Sequence, residues 1–157
     1  MHHDTDFVSP PALRLGCLAL ITSPAGVLLV EKRYKEGPEA WGLPGGCAHL
    51  NEEPREAVRR EVHEETSFDV KPDALLVIHW MPATGTASAG INVVFDCGDL
   101  SHDLPPRLPA EELSSYRYVP EAELDSVAAP YTAWRVRAAL AARAGDAVEY
   151  LTGHPSH

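Results

Sequence analysis

A chain of 157 residues suits a single domain, and an apolar share of 45% suits a globular one. A net charge of −10 excludes binding of a nucleic acid polymer or an acidic membrane by electrostatics alone. No apolar run is long enough to cross a bilayer, since the longest candidate, 12–30, is broken by Arg14, Pro24 and Gly26.

The acidic, polar start of the chain does not read as a signal peptide, and residues 1–12 are expected to be a flexible tail. Strands are expected over 13–22 and 27–32, joined by the turn "SPAG" as a hairpin. The Gly- and Pro-rich stretch 34–46 reads as loop. A helix follows from Pro54, whose missing N–H is harmless at the first helical position, to about Thr66; Ala57, Val58 and Val62 make its inward stripe. Further strands are expected over 74–81, 91–97 and 115–119, then a last helix from Pro130 or Tyr131 that stops at Gly145. Residues 13–144 form one α/β domain with a mixed sheet, and 145–157 are expected to fray. Cys17, Cys47 and Cys97 are scattered and form no CxxC pair, so they read as reduced thiols of a cytoplasmic protein; Cys47 is expected to be small and buried.

The segment 45–68, "GGCAHLNEEPREAVRREVHEETSF", carries the chemistry. On an ideal helix with Ala57 at zero, Glu61 falls near 40°, Glu64 near 340° and Glu65 near 80°, an arc of about 100°. The arc borders the buried valines rather than opposing them. Carboxylates spaced i, i+3 and i+4 repel unless a cation lies between them, and oxygen donors suit Mg²⁺, Mn²⁺ or Ca²⁺. The alternative is a solvated face laced by Glu–Arg pairs.

The flanking residues choose between these. Gly46, five residues, Glu52, seven residues, then Arg60-Glu61-Val62-His63-Glu64-Glu65-Thr66-Ser67-Phe68 resembles the Nudix box, G-x5-E-x7-R-E-U-x-E-E-x-G-U, where U is a bulky apolar residue. Ser67 stands where the family has glycine, and Asn51 where many members carry another; a non-glycine in left-handed geometry costs on the order of 1 kcal/mol and removes no ligand. The resemblance implies a Nudix-type α/β/α sandwich with a loop–helix–loop metal site. It implies Glu61, Glu64, Glu65 and the Gly45 carbonyl as ligands of Mg²⁺, with Mn²⁺ as a substitute. Gly46 would let the backbone approach, and Arg60 and Glu52 would brace the loop.

The implied reaction is hydrolysis of the diphosphate bond in a nucleoside diphosphate linked to another group, a nucleotide sugar such as ADP-ribose or a nucleoside triphosphate. Glu64 or Glu65 is a candidate general base, as is Glu112 or Glu111 in "PAEELSSY"; Arg33 and Glu111 are candidates to touch substrate. A non-catalytic nucleotide-binding regulator is the alternative of a different class. Dimers are common in the family, but no stretch of this sequence identifies an interface.

Overall fold

The structure, a computed structural model, describes residues 5–156. Its strands are β1 (Arg14–Ser23), β2 (Gly26–Lys32), β3 (Trp41–Gly42), β4 (Gly45–Cys47), β5 (Leu75–Met81), β6 (Gly90–Asp99), β7 (Leu113–Val119) and β8 (Glu149–Thr152). Its helices are α1 (Thr5–Val8), α2 (Pro54–Thr66), α3 (Leu124–Val127) and α4 (Pro130–Gly145).

All eight strands join one mixed sheet, β3-β2-β1-β6-β5-β8, with β4 also on β1 and β7 also on β2. The pairs β1–β6 and β5–β8 are parallel and the rest antiparallel. Side chains alternate along β1, so its two faces feed two cores. Cys17, Ala19 and Ile21 pack with Ala57, Val58 and Val62 of α2. Leu18 and Leu20 face the other way, with Ala133, Val136 and Ala139 of α4. The result is an α/β architecture with a helix on each face of a mixed sheet. Ala57, Val58 and Val62 are wholly buried, and each valine stabilises the helix–sheet contact by roughly 1.5 kcal/mol or more.

The hairpin of β1 and β2 is short, because only Thr22 with Val27 and Ser23 with Gly26 stay in register. The strands then part. β1 takes β4 and β6 as neighbours, and β2 takes β7 and β3. The split leaves the far end of β2 facing β4 across a gap, and the site forms there.

Four expectations need correction. The stretch 34–46 is not all loop: it holds a 3₁₀ turn, Gly37–Ala40, and strands β3 and β4, because β1 beyond its hairpin offers unpaired backbone that the double glycine meets. The terminal segment does not fray throughout: β8 pairs with β5 and buries Leu151, covering an edge that would otherwise be open. Gly145 is the last helical residue of α4, and Asp146 takes the left-handed position (φ 60°), its N–H donating to the Ala142 carbonyl. Cys47 is exposed rather than buried, because its neighbour across β1 is Gly16, which has no side chain to cover it. Of the expected N-terminal tail, residues 1–4 lie outside the described residues, and 5–8 form the single turn α1.

Candidate active site

Helix α2 is fixed at both ends by side chains of its own segment. The Glu53 carboxylate accepts from the N–H groups of Arg55 and Glu56, and Pro54 opens the first turn. At the other end Ser67 is left-handed (φ 65°) and donates its N–H to His63 O. Asn51, in the loop before the helix, is also left-handed (φ 62°). The placement of α2 aims one edge of the helix at the double glycine.

Glu65 lies on that edge and is only 2% exposed. Its Oε1 accepts from the Gly45 N–H at 3.1 Å, while its Oε2 has no hydrogen-bond partner. Lys32 Nζ stands 3.5 Å from Oε2 and donates to the Gly45 carbonyl at 3.3 Å. Burial pushes the Glu65 carboxyl up to about 7; Lys32 and the Gly45 N–H pull against this, and Glu61 adds to it. Two glycines make the approach possible. At Gly45 (φ 141°) a Cβ would stand 2.1 Å from the Cys17 carbonyl oxygen, and at Gly46 one would stand 2.7 Å from the Glu61 carboxyl carbon.

Toward the outer side of the helix, Arg60 gathers the remaining acids. It grips Glu52 with two hydrogen bonds, Nε to Oε2 at 2.8 Å and Nη2 to Oε1 at 2.9 Å. Its Nη1 reaches Glu61 at 3.0 Å and Glu64 at 3.3 Å, and Nη2 also donates to the Cys47 carbonyl at 3.3 Å. Glu52 accepts from the His49 N–H as well. The Arg60 hydrogen bonds hold Glu52 down at about 2 and push the guanidinium itself upward. Glu64 is 52% exposed, at the rim.

Lys32, Tyr34, Gly45, Gly46, Glu61, Glu65, Glu112 and Leu113 enclose a cavity of about 220 Å³. Glu112 therefore lines the same cavity as Glu61 and Glu65; Glu111, exposed like Glu112, takes no part in the lining, nor does Glu64. Arg33 points away from the cavity. Its Nε donates to the Ala110 carbonyl at 2.6 Å and its backbone N–H to the Glu112 carbonyl at 2.9 Å, which clips the loop carrying Glu112 to the end of β2. Lys32 went unnoticed in the sequence. It shares a strand face with Leu28, on the α2 side, and that period of two is the signal that could have found it. A larger hollow of about 550 Å³ lies past the end of α2, between Phe68, Val70, Cys97 and Leu104. It is mostly apolar and holds none of Glu61, Glu64, Glu65 or Glu112, so the acidic side chains gather at the smaller cavity.

Among the described residues no three acidic, histidine or cysteine side chains already converge as a cage for an ion. The reason is visible in the partners: Arg60 holds Glu64 and Glu61 from outside, and Lys32 supplies the positive charge next to Glu65. The donor set nevertheless fits a hard divalent cation. It offers a buried carboxylate oxygen with no hydrogen bond, a second carboxylate pressed against a glycine, and a carbonyl beside both. Mg²⁺ needs few protein oxygens and keeps waters.

The NUDIX domain pattern matches residues 12–142. The chain belongs to the NUDIX family. A MutT-like protein of Streptomyces ambofaciens is 32% identical over 97 residues, which is 62% of this chain and 59% of that protein. The chain thus spans less than two thirds of the length of the curated relatives it matches. Among solved structures, an ADP-ribose pyrophosphatase from Streptococcus suis superposes with TM-score 0.64 at 19% identity, covering 90% of this chain and 99% of that one. The NUDIX domain of Shewanella oneidensis NrtR, complexed with ADP ribose, superposes with TM-score 0.68 at 19% identity, covering 90% and 98%. At such identities the likeness is one of fold. Among the described residues no helix is long and apolar enough to cross a membrane.

Proposed function

We propose that this NUDIX protein is a Mg²⁺-dependent pyrophosphohydrolase that cleaves the diphosphate of a nucleoside diphosphate linked to another group, with ADP-ribose-type compounds as the first substrate class. The observation that carries the reading is the Glu65 carboxylate, buried beside Gly45 with one oxygen left without a hydrogen bond, in a cavity shared with Glu61 and Glu112. The likeness to one ADP-ribose pyrophosphatase and to a NUDIX domain complexed with ADP ribose supports the substrate class.

Glu65, Glu61 and the Gly45 carbonyl are the residues that would hold the ion, with Glu64 joining from the rim. Such an ion neutralises phosphate oxygens and lowers the pKa of coordinated water. The chain's own groups do the rest. Gly45 and Gly46 keep side chains out of the space a diphosphate needs. Lys32 places an ammonium at the cavity wall, where it can meet phosphate oxygens. Glu112 lines the cavity with Glu65 and is the group that would accept the proton of the attacking water, and Arg33 holds its loop in place. Arg60 and Glu52 keep the glycine loop against the helix. On this reading Arg33 is a brace and not a substrate ligand.

Incubation of the protein with Mg²⁺ or Mn²⁺ and a panel of nucleotide derivatives, with products separated by chromatography, tests the proposal. AMP and ribose 5-phosphate from ADP-ribose are the expected products. Pyrophosphate from nucleoside triphosphates alone would move the substrate class. Binding of ADP-ribose with no product under either metal would support a non-catalytic regulator instead.

A further inference from the structure

The α4 face of the sheet carries a row of residues that starts at the glycine loop. Cys47 lies opposite Gly16, Gly16 opposite Asn92, and Asn92 opposite His79. Gly16 has no side chain, and a Cβ there would stand 2.1 Å from Asn92 Oδ1, so the Asn92 amide lies over it. Arg14, two residues earlier on the same face, lies across Gly90, where a Cβ would stand 2.8 Å from its Nη2; its Nε donates to the Ser88 carbonyl.

Arg135 comes down onto the end of this row from α4. It is 8% exposed, and its Nε–H donates to His79 Nδ1 at 3.0 Å. His79 Nε2 meets the Gly153 carbonyl at 2.7 Å, so the imidazole is neutral, with its proton on Nε2 and a lone pair on Nδ1. The guanidinium carbon lies 5.8 Å from the Tyr131 ring, but among the described residues Arg135 forms no ion pair. Burial pushes Arg135 down to about 10; Tyr131 pulls against this, and Arg14, of the same sign, adds to it. A buried charge is costly without a counter-charge, and a like charge close by adds to the cost. Among the described residues no carboxylate forms an ion pair with either arginine.

We propose that Arg135, Arg14 and Asn92 form a subsite for an oxyanion, a phosphomonoester or a carboxylate, on the part of the substrate distant from the scissile diphosphate. This rests on the pyrophosphohydrolase reading above and adds a substrate property to it. The spacing suits the assignment. Neighbouring strands lie about 4.8 Å apart, so the three strand steps from Cys47 to His79 span about 14 Å across the sheet, on the order of the reach of a nucleoside or sugar extending from the diphosphate. The arginine fork matches the paired oxygens of phosphate or carboxylate, and the Asn92 amide adds a neutral donor.

Two matched pairs of compounds test the subsite and separate its two chemistries: ADP-ribose against ADP-ribose 2′-phosphate, and UDP-glucose against UDP-glucuronate. Affinities are measured by calorimetry on metal-stripped protein, and kcat and KM separately with Mg²⁺. The charged member of at least one pair is expected to bind at least about 10-fold tighter, with the difference in KM rather than kcat. Arg14→Gln, at the surface, is expected to shrink that preference to within about 3-fold, and Arg135→Lys to keep part of it. Arg135→Gln is read only if its circular dichroism matches wild type; Arg14→Gln and Asn92→Ala carry the test otherwise. No preference in either pair, no detectable binding of either charged member, or a preference that survives Arg14→Gln and Asn92→Ala would overturn the subsite. Failure to hydrolyse any of the four compounds would count against the pyrophosphohydrolase reading alone, because the binding comparison is still read.

Discussion

The two edges of helix α2 hold the same residue type under opposite conditions. On the outer side, Glu52 and Glu64 share Arg60, and every charge there has a partner at hydrogen-bond distance or is open to water. On the inner edge, Glu65 is sealed in, one oxygen has no hydrogen bond, and its carboxyl is raised toward neutrality by burial. On the outer side Arg60 and Glu52 act as a brace, and Glu64 is held by Arg60 at the rim, from which an ion would have to draw it. On the inner edge the only positive charge beside Glu65 among the described residues is the Lys32 ammonium, 3.5 Å from Oε2 and not hydrogen-bonded to it. Carboxylates close together in sequence therefore differ in burial and in how tightly a partner already holds them: Glu52 is gripped by two hydrogen bonds, and Glu65 is buried with one oxygen free of any.

This contrast is sharpest in its largest predicted effect. Glu65→Gln should cut Mg²⁺-dependent hydrolysis at least about 100-fold while the fold persists, and Glu64→Gln, at the rim, should cost about 100-fold. Unchanged rates in a steady-state assay would contradict the assignment of both as ligands. Glu52→Gln should do less, on the order of 10-fold, because it loosens the loop without removing a ligand.

Glu52→Gln should also change the acid limb of stability. The folded carboxyl is held near 2, below its ordinary 4.5, so its contribution is complete above about pH 4.5 and is lost as pH falls toward 2. Thermal melts across that window should be flatter in the variant than in wild type. A second slope belongs to the α4 side. Burial lowers His79 from 6.5 to about 4, so the neutral imidazole stabilises the fold above pH 6.5, and this is lost as pH falls toward 4. His79→Gln should remove that slope, and an unaltered profile would show that the ring does not stay neutral. The smallest effect expected is at the helix end. Ser67→Gly should relieve the left-handed strain at φ 65° and raise stability by up to about 1 kcal/mol in denaturant melts, with hydrolysis little altered.

The sequence was legible wherever the pattern is local. The period of α2 and the acids at its buried border follow from spacing and residue type, and the left-handed settings of Asn51 and Ser67 from the resemblance, which has glycine at Ser67 and often at Asn51. What it hid depends on contacts made across the sheet. The double glycine could not announce itself as strand β4, because only its pairing with Gly16–Leu18 makes it one. The tail could not reveal β8, because that strand exists through the edge of β5. Glu112 and Glu111 are equivalent as letters, and the turn that donates the Glu112 and Leu113 N–H groups to the Pro109 carbonyl sends only one of them into the cavity. Lys32 and Arg33 are likewise adjacent, and strand alternation sends the first to Glu65 and the second to Ala110.

A crystal soaked in Mn²⁺ gives the most direct test, read as anomalous scattering from the ion. A peak bonded to the Glu65 and Glu61 carboxylates and the Gly45 carbonyl, with the Lys32 ammonium moved off Glu65, is the predicted result. A map with no peak at saturating Mn²⁺, or with the ion held only by the outer glutamates while Lys32 keeps its contact with Glu65, would contradict the assignment.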